Sequence, residues 1–422
     1  MKKQLLQGML VLLAICLCAC GGAGPQSGSE RPQSLRQPET NAAPTELKLV
    51  TSTEGMFGLA GSVSPNGYYD IRFNEDGSSN IVYTDFDTAQ TVYLSSDVVA
   101  SHISEEDPSW FQYGISYLFV INDKLYAVYP GALFASSDSA DAKKACVYEM
   151  RLDGSERRVL TEFEASKRMM RSVATDGDSF YTVIEAVTPL GQNVNELTKV
   201  DLETGEQEVL CAMPIGEFVV GAFKDQLVLE NVIDSETNPM NLSVFSLTAL
   251  EQKQLVSISN ETTSGVAYRD SFYYIDHIDQ SFVRVDLNTG ESAVVQESIP
   301  VGSKQTTFVS GIWENYFVYR VTTMEGETEK QQLYGIDLDS GSIYKNSLTY
   351  SYQGSIDHSV NIVAAAKNQY LFVRDRTDET KTFYAADGTA YQALDTRFIY
   401  GLEDVQTFWS DVDQKKIVAD LT

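Results

Sequence analysis

From Leu47 onward the apolar residues fall in short runs of Val, Ile, Tyr, Phe and Leu, parted by clusters of Asp, Asn, Gly and Ser. No long stretch keeps the roughly 3.6-residue period of an amphipathic helix, so the pattern predicts strands and turns. One composite unit recurs. It opens with a strand, a tight polar turn and a second strand that begins with aromatic or aliphatic residues. The instances are PNG before Tyr68 and Tyr69, NDK before Leu125 and Tyr126, DGDS before Phe180 and Tyr181, KDQ before Leu227 and Val228, RDS before Phe272 and Tyr273, EN before Tyr316 and Phe317, and KNQ before Tyr370 and Leu371. The unit closes with a third strand whose turn feeds a fourth, as in VYEMRLDGSERRVL, LTKVDLETGEQEVL, FVRVDLNTGESAVV, LYGIDLDSGSIY and TFYAADGTAYQAL. These turns run through Asp87, Asp153, Gly205, Ala249, Gly290, Gly341 and Asp387-Gly388. Gly, Asp and Asn suit tight hairpins because they accept positive φ or cap their own backbone.

Seven such openings, about 50 residues apart, predict an all-β fold, a β-propeller of seven four-stranded antiparallel blades. Strands such as Leu227-Val228-Leu229 and Phe317-Val318-Tyr319 are apolar without alternation, as expected of sheets covered on both faces. The predicted blades occupy residues 47–110, 111–165, 166–215, 216–258, 259–298, 299–349 and 350–400. Six blades would follow from an incomplete end unit, and eight from pairing of residues 396–422 with the first strand. Two stacked β-sandwiches are the architectural alternative. The last segment predicts a short helix from Glu403 to Trp409 and a strand that seals or underlies the ring. Second connections at 130–145, 186–195, 232–241 and 322–331 are longer than the first and third, and would share one face of the disc. Insertions gathered on one face mark it as the expected docking surface for a partner or saccharide.

Upstream of the repeats, Lys2 and Lys3 precede an apolar run from Leu5 to Leu17. At about 13 residues it is shorter than the roughly 20 needed to cross a bilayer, and predicts an export signal over residues 1–19. Leu17-Cys18-Ala19-Cys20 resembles the lipobox of bacterial lipoproteins, with Cys18 where Ala, Ser, Thr or Val is usual. The resemblance implies cleavage before Cys20, a diacylglycerol on its sulfur, and a lipid-anchored position on the extracytoplasmic face of the cell membrane. Residues 20–46 hold Gly, Pro, Ser and Gln with almost no large apolar residue, and read as a flexible tether of roughly 28 Å mean reach. The propeller domain then spans 47–422.

The chain carries 59 acids against 31 bases, a formal charge of −28, which opposes binding to nucleic acid or anionic lipid headgroups. Only Cys146 and Cys211 lie outside the signal and lipobox, so a hydrophobic core rather than a disulfide framework must carry the fold. A bridge between them and two free thiols both fit the sequence.

Candidate chemistry is sparse. His102, His277 and His358 fall in different units without the spacing of a zinc site, and no G-x-S-x-G elbow is present. Asp85-Phe86-Asp87 and Asp337-Leu338-Asp339 carry two acids at the spacing that opens a calcium loop, but lack the distal Glu, and turn capping accounts for them. Trp110, Trp313 and Trp409 suit inter-blade packing or sugar stacking. No catalytic residue, cofactor or metal site is predicted, and no ligand-binding residue is assigned.

The FYYID and VRVDLNTGE pattern at 272–291, with its counterparts at 180–206 and 317–342, resembles TolB-like and related propeller repeats of extracellular lipoproteins of Gram-positive bacteria. It covers the body of the chain and implies a single propeller on a lipid tether. It carries over no catalytic residues. Blades one and four depart from it, with TDFDTAQ and SLTALEQ in place of VDLxTGE. The expected function is a non-catalytic binding or scaffolding module for an envelope protein or carbohydrate. The alternatives are a propeller-type hydrolase or lyase acting on glycans or peptides, and a sensor or accessory subunit of a membrane complex.

Overall fold

The computed structural model describes residues 46–51, 60–95, 102–131, 144–188, 190–231, 240–259, 265–302, 305–326, 328–352, 356–384, 390–410 and 416–420. The predicted signal, Cys20 and the tether before Glu46 lie outside the described residues, as do 132–143 and 232–239 of the predicted connections.

Seven antiparallel sheets follow one another along the chain, each built outward strand by strand. Blade 1 comprises Ser62–Ser64, Gly67–Phe73, Ser79–Asp85 and Gln90–Tyr93, with Trp110–Phe111 added beside the third strand. Blade 2 comprises Tyr117–Ile121, Lys124–Tyr129, Cys146–Arg151 and Arg158–Glu162. Blade 3 comprises Lys167–Thr175, Ser179–Val187, Asn193–Asp201 and Gln207–Met213, and blade 4 Glu217–Phe223, Gln226–Asn231, Met240–Ser246 and Glu251–Ile258. Blade 5 comprises Val266–Tyr268, Ser271–Asp276, Ser281–Asp286 and Ser292–Gln296, and blade 6 Thr306–Trp313, Tyr316–Glu325, Thr328–Asp337 and Ile343–Asn346. Blade 7 comprises Asn361–Ala366, Gln369–Tyr384, Ala390–Asp404 and Lys416–Ile417. The inner strand of blade 7 returns against that of blade 1, closing the circle.

Each of the seven hydrophobic clusters straddles two successive blades, the last joining blade 7 to blade 1. Side chains alternate across a strand, so consecutive residues serve different neighbours. Phe180 packs toward blade 2 and Tyr181 toward blade 4; Phe317 packs toward blade 5 and Val318 toward blade 7. This is why the second strands read as unbroken apolar runs: both faces are dry, and neither can be polar.

Four expectations need correction. The chain from Leu47 does not begin blade 1: Lys48–Leu49 pairs antiparallel with Ala174 and Thr175, on the inner edge of blade 3. The amide of Leu47 donates to the Lys224 carbonyl at 2.7 Å, and that of Val50 to the Val173 carbonyl at 2.9 Å. Residues 322–331 are not a loop but the end of an extended hairpin, with Glu325 paired to Thr328. Asp387-Gly388 does not join the third and fourth strands of its blade. It lies outside the described residues, between Gln369–Tyr384 and Ala390–Asp404, which are the second and third strands of blade 7. The last blade therefore runs to Ile417 rather than to 400, and its third turn holds the one-turn helix Val405–Phe408, capped by Asp404.

Residues past this helix stitch the ring. Ile417 and Lys416 pair with Gly401 and Leu402 of blade 7, while Ala419 bridges to Gln90 on the outer strand of blade 1. Arg72 of blade 1 and Asp420 form an ion pair.

Candidate functional site

The two faces of the disc differ in construction. One carries the first and third turns, and these are tied together within blades 3 to 6. The amide following the third strand donates to a carbonyl of the first turn: Leu202 to Asp178, Leu247 to Asp225, Leu287 to Asp270 and Leu338 to Asn315, all at 2.8 to 3.0 Å. The third turn is capped by its own aspartate. Asp201 accepts the Thr204 amide at 2.7 Å and Asp286 the Thr289 amide at 3.0 Å, and these bonds hold both carboxyls below the usual carboxylate range. Asp337 does the same for Asp339 and Ser340, and Asp85 for Thr88, so the two acid pairs with calcium-loop spacing serve as turn caps. Gly205 and Gly290 adopt φ of +74° and +81° there, and press on carbonyls of the preceding blade's outer strand.

The other face carries the second turns and the blade-to-blade crossovers, and it is elaborated. The second and third strands of blade 7 run 16 and 15 residues, against 6 and 7 for their counterparts in blade 4, so this hairpin projects beyond the disc. The blade 6 to blade 7 crossover folds into a further hairpin, Thr349–Tyr352 and Ile356–Ser359. Its second strand lies parallel to the blade 6 extension at Glu329 and Lys330. Between the blade 7 hairpin and the second turn of blade 1 lies a cleft of about 360 Å³ lined by Phe73, Glu75, Asp76, Ile103, Lys381 and Arg397, with Lys381 3.5 Å from Glu75.

Exposed large apolar residues follow the same division. Among the described residues, Phe73, Ile103, Leu190, Ile215, Phe218, Ile278, Phe308, Met324 and Phe398 belong to the elaborated face, with Leu190 at 86% and Ile103 at 72% exposure. Leu250 lies on the tight-turn face and Val63 beside the first turn of blade 1; Tyr113 belongs to the crossover into blade 2, and Val92, Val159, Val209, Val294 and Ile417 lie on the rim.

Polar residues interrupt the apolar second strands at corresponding positions. Where blades 1, 2, 3, 5 and 7 place Ile71, Val128, Val183, Ile275 and Val373, blade 4 places Glu230 and blade 6 Arg320. One residue earlier, blade 1 places Asp70, whose carboxylate accepts the Tyr400 hydroxyl at 2.7 Å. None of the three was singled out from the sequence, although aligning the second strands on their aromatic openings would have exposed them. Burial raises the Asp70 carboxyl above its ordinary range. Glu230 is 3% exposed and accepts the Gly265 amide, while its Oε2 has no hydrogen-bond partner among the described residues. Asp70 and Glu230 stand three blades apart and form no carboxylate pair.

Burial pushes the Glu230 carboxyl up to about 7, against an ordinary value of 4.5. The folded chain thus holds a proton on Glu230 that the unfolded chain has released between these values. Its contribution to stability is retained below about 4.5 and declines as pH rises through about 7. Glu230→Gln should be close to neutral at pH 5 and stabilising at pH 8, by up to roughly 3 kcal/mol. Urea unfolding at the two pH values checks this; equal effects at both would refute it.

The histidines, cysteines and tryptophans weighed in the sequence are dispersed. His102 Nδ1 lies 2.5 Å from Asp107 Oδ2 and its ring stacks on Tyr93; His277 occupies the second turn of blade 5; His358 stacks on Tyr350 at 5.3 Å. Among the described residues no group of three or more His, Cys, Asp or Glu gathers where it could hold a metal. Cys146 and Cys211, in blades 2 and 3, form no disulfide with each other. Trp313 and Trp409 pack between blades 6 and 7, and Trp110 donates to Ser78 Oγ at 3.1 Å. No described helix is long and apolar enough to cross a membrane.

No family model matches the chain, and no curated protein sequence matches it. Solved propeller structures are similar in fold. The β-propeller domain of the trilobed protease from Pyrococcus furiosus is 11% identical, covering 89% of this chain and 98% of that one at a TM-score of 0.46. A puromycin-hydrolyzing peptidase from Mycobacterium tuberculosis is 12% identical at a TM-score of 0.49, covering 89% of this chain and 54% of that one, so this chain spans about half of that enzyme. TolB from Acinetobacter baumannii is 10% identical at a TM-score of 0.36, covering 80% and 76%. Oligogalacturonate lyases are also among the similar solved structures, one of them 12% identical at a TM-score of 0.47, covering 83% of this chain and 91% of that one.

Proposed function

We propose that the protein is a membrane-anchored, extracytoplasmic binding module without chemistry of its own, whose elaborated face docks an envelope protein. The observation that carries this reading is the segregation of exposed apolar side chains and projecting hairpins onto one face, opposite a face of capped tight turns. An excess of exposed apolar side chains on one face favours that face as an interaction surface. The residues concerned include Ile103, Leu190, Ile215 and Ile278, aliphatic side chains that suit a protein surface better than a sugar ring.

The anchor rests on the resemblance of Leu17-Cys18-Ala19-Cys20 to a lipobox, and the described chain begins beside the propeller's tight turns. Lys48 sits opposite Thr175 beside the first turn of blade 3, and Leu47 bonds to Lys224 in the first turn of blade 4. The chain therefore enters the ring at the tight-turn face. Fatty-acid label that persists in Cys20→Ala would remove the anchor from this reading.

The double variant Leu190→Glu with Ile215→Glu should reduce cross-linking to the envelope partner at least about tenfold, while unfolding stability stays within about 0.5 kcal/mol, as for exposed sites in general. A rim pair, Val92→Glu with Val159→Glu, is the control. Equal recovery of the partner by both pairs would count against the assigned face.

A further inference from the structure

Where blade 6 meets blade 7 on the elaborated face, four strands bring together two arginines, a tyrosine and a histidine. Arg320 comes from the second strand of blade 6, opposite Phe308 on the inner strand and Leu333 on the third. Its guanidinium lies 5.6 Å from the Phe308 ring centroid, and Phe308 is 52% exposed. Tyr350 and His358 face one another across the crossover hairpin, and both feel the charges of Arg320 and Arg376.

All of these groups except Arg320 are held by protein partners. Arg376 donates to Asp378 from Nε and Nη2 at 3.3 and 2.9 Å, and Asp378 is fixed in turn by the Thr396 hydroxyl at 2.6 Å. Gln331 engages His358 Nδ1 at 3.2 Å and is itself oriented by Glu329 at 2.9 Å. Arg320 has no carboxylate or hydrogen-bond acceptor among the described residues, and its Nε is buried. In a chain with 59 acids and 31 bases, a half-buried arginine that no described acid pairs with is not a product of shortage. Leaving a buried N–H unsatisfied is costly, and a guanidinium recovers that cost best from a planar, singly charged oxyanion.

We propose that Arg320, with Phe308 beside it and Tyr350 and Arg376 around it, forms a receptor for a carboxylate attached to a flat apolar body. Asp378 and Glu329 stand in the same cluster, so a doubly charged phosphate would meet more repulsion than a carboxylate. This inference deepens the binding-face reading by naming the chemistry of one site on that face.

Benzoate, benzamide and phenyl phosphate are the probes, titrated by calorimetry into the full chain. Benzoate should bind, benzamide should not, and phenyl phosphate should bind more weakly than benzoate. Arg320→Gln should weaken benzoate by roughly 10- to 100-fold, as for loss of a charged hydrogen bond, and Lys381→Gln in the neighbouring cleft should leave it unchanged. The chain has three histidines, so the His358 ring signal is assignable with His358→Gln. In the wild type, benzoate should shift that signal and leave His102 and His277 in place, a result that needs no Arg320 variant to fold. The proposal falls if benzoate leaves the His358 signal unmoved, if Arg320→Gln binds benzoate as the wild type does, or if phenyl phosphate binds more tightly. Benzoate binding that survives in the Leu190→Glu, Ile215→Glu protein separates the two readings: partner capture can fail or persist there without touching this site.

Discussion

A chain ending at Ser410 should be less stable than the full chain by about 5 kcal/mol, with the loss concentrated at the seam between blades 7 and 1. The estimate rests on three backbone bonds, Ala419 to Ala89, Thr91 to Ala419 and Val418 to Tyr400, at about 1 kcal/mol net each, and on the burial of Val418, worth about 2 kcal/mol. The exposed contacts of Arg72 with Asp420 and of Lys416 with Asp87 add little, being screened by solvent. Urea unfolding gives the total, and hydrogen exchange should show the amides of Gln90–Tyr93 losing protection before those of blade 4. A loss under about 1 kcal/mol would mean that the inner strands and the cluster of Tyr68, Leu371 and Val363 close the ring unaided.

The second large effect is expected at Gly205. Its φ is +74°, and a Cβ there would lie 2.0 Å from the carbonyl oxygen of Leu160 on blade 2. Gly205→Ala should therefore cost about 3 kcal/mol, combining left-handed backbone strain of about 1 kcal/mol with displacement of one blade against the next. Gly191 separates the two contributions: its φ is +75° and nothing lies within 4 Å of the same added atom. Gly191→Ala should cost only the strain. Equal losses at the two positions would show that the third turn of blade 3 does not bear on blade 2.

These glycines also show what was legible in the chain and why. The VDLxTGE turn was visible because its requirements are local: an aspartate to cap, a residue with positive φ, and a strand on either side. Its contact with the preceding blade was not visible, since Leu160 is 45 positions away and no local rule connects them. The aromatic openings were informative for the opposite reason. Tyr181 and Phe180 must be apolar together because each faces a different blade, so a tertiary requirement leaves a mark on adjacent residues.

Blade 7 was misread where that requirement lapses. Beyond Val373 its second strand continues as Arg374-Asp375-Arg376-Thr377-Asp378-Glu379-Thr380-Lys381, a polar run with no apolar alternation, because this part stands clear of the disc. The Ala-Asp-Gly at 386–388 has the chemistry of any tight turn and was taken for the third one of its blade. The attachment of residues 47–51 to blade 3 escaped notice for want of length: a five-residue segment on an inner edge has no periodicity to read. Arg320 and Glu230 are legible as polar interruptions once the second strands are aligned, but the unsatisfied Nε of one and Oε2 of the other among the described residues are a property of space rather than of sequence.

The course of residues 47–51 bears on how the molecule would carry tension. Traction from the N-terminal side would act along the axis of this segment, nearly at right angles to its bonds with Val173, Ala174 and Thr175. Such a load is shared as shear across all of the bonds at once, whereas a segment lying across the pull would peel away one bond at a time. The segment holds the ring at the inner edge of blade 3, so a load applied at Leu47 strains blades 3 and 4 rather than the stitched seam between blades 7 and 1.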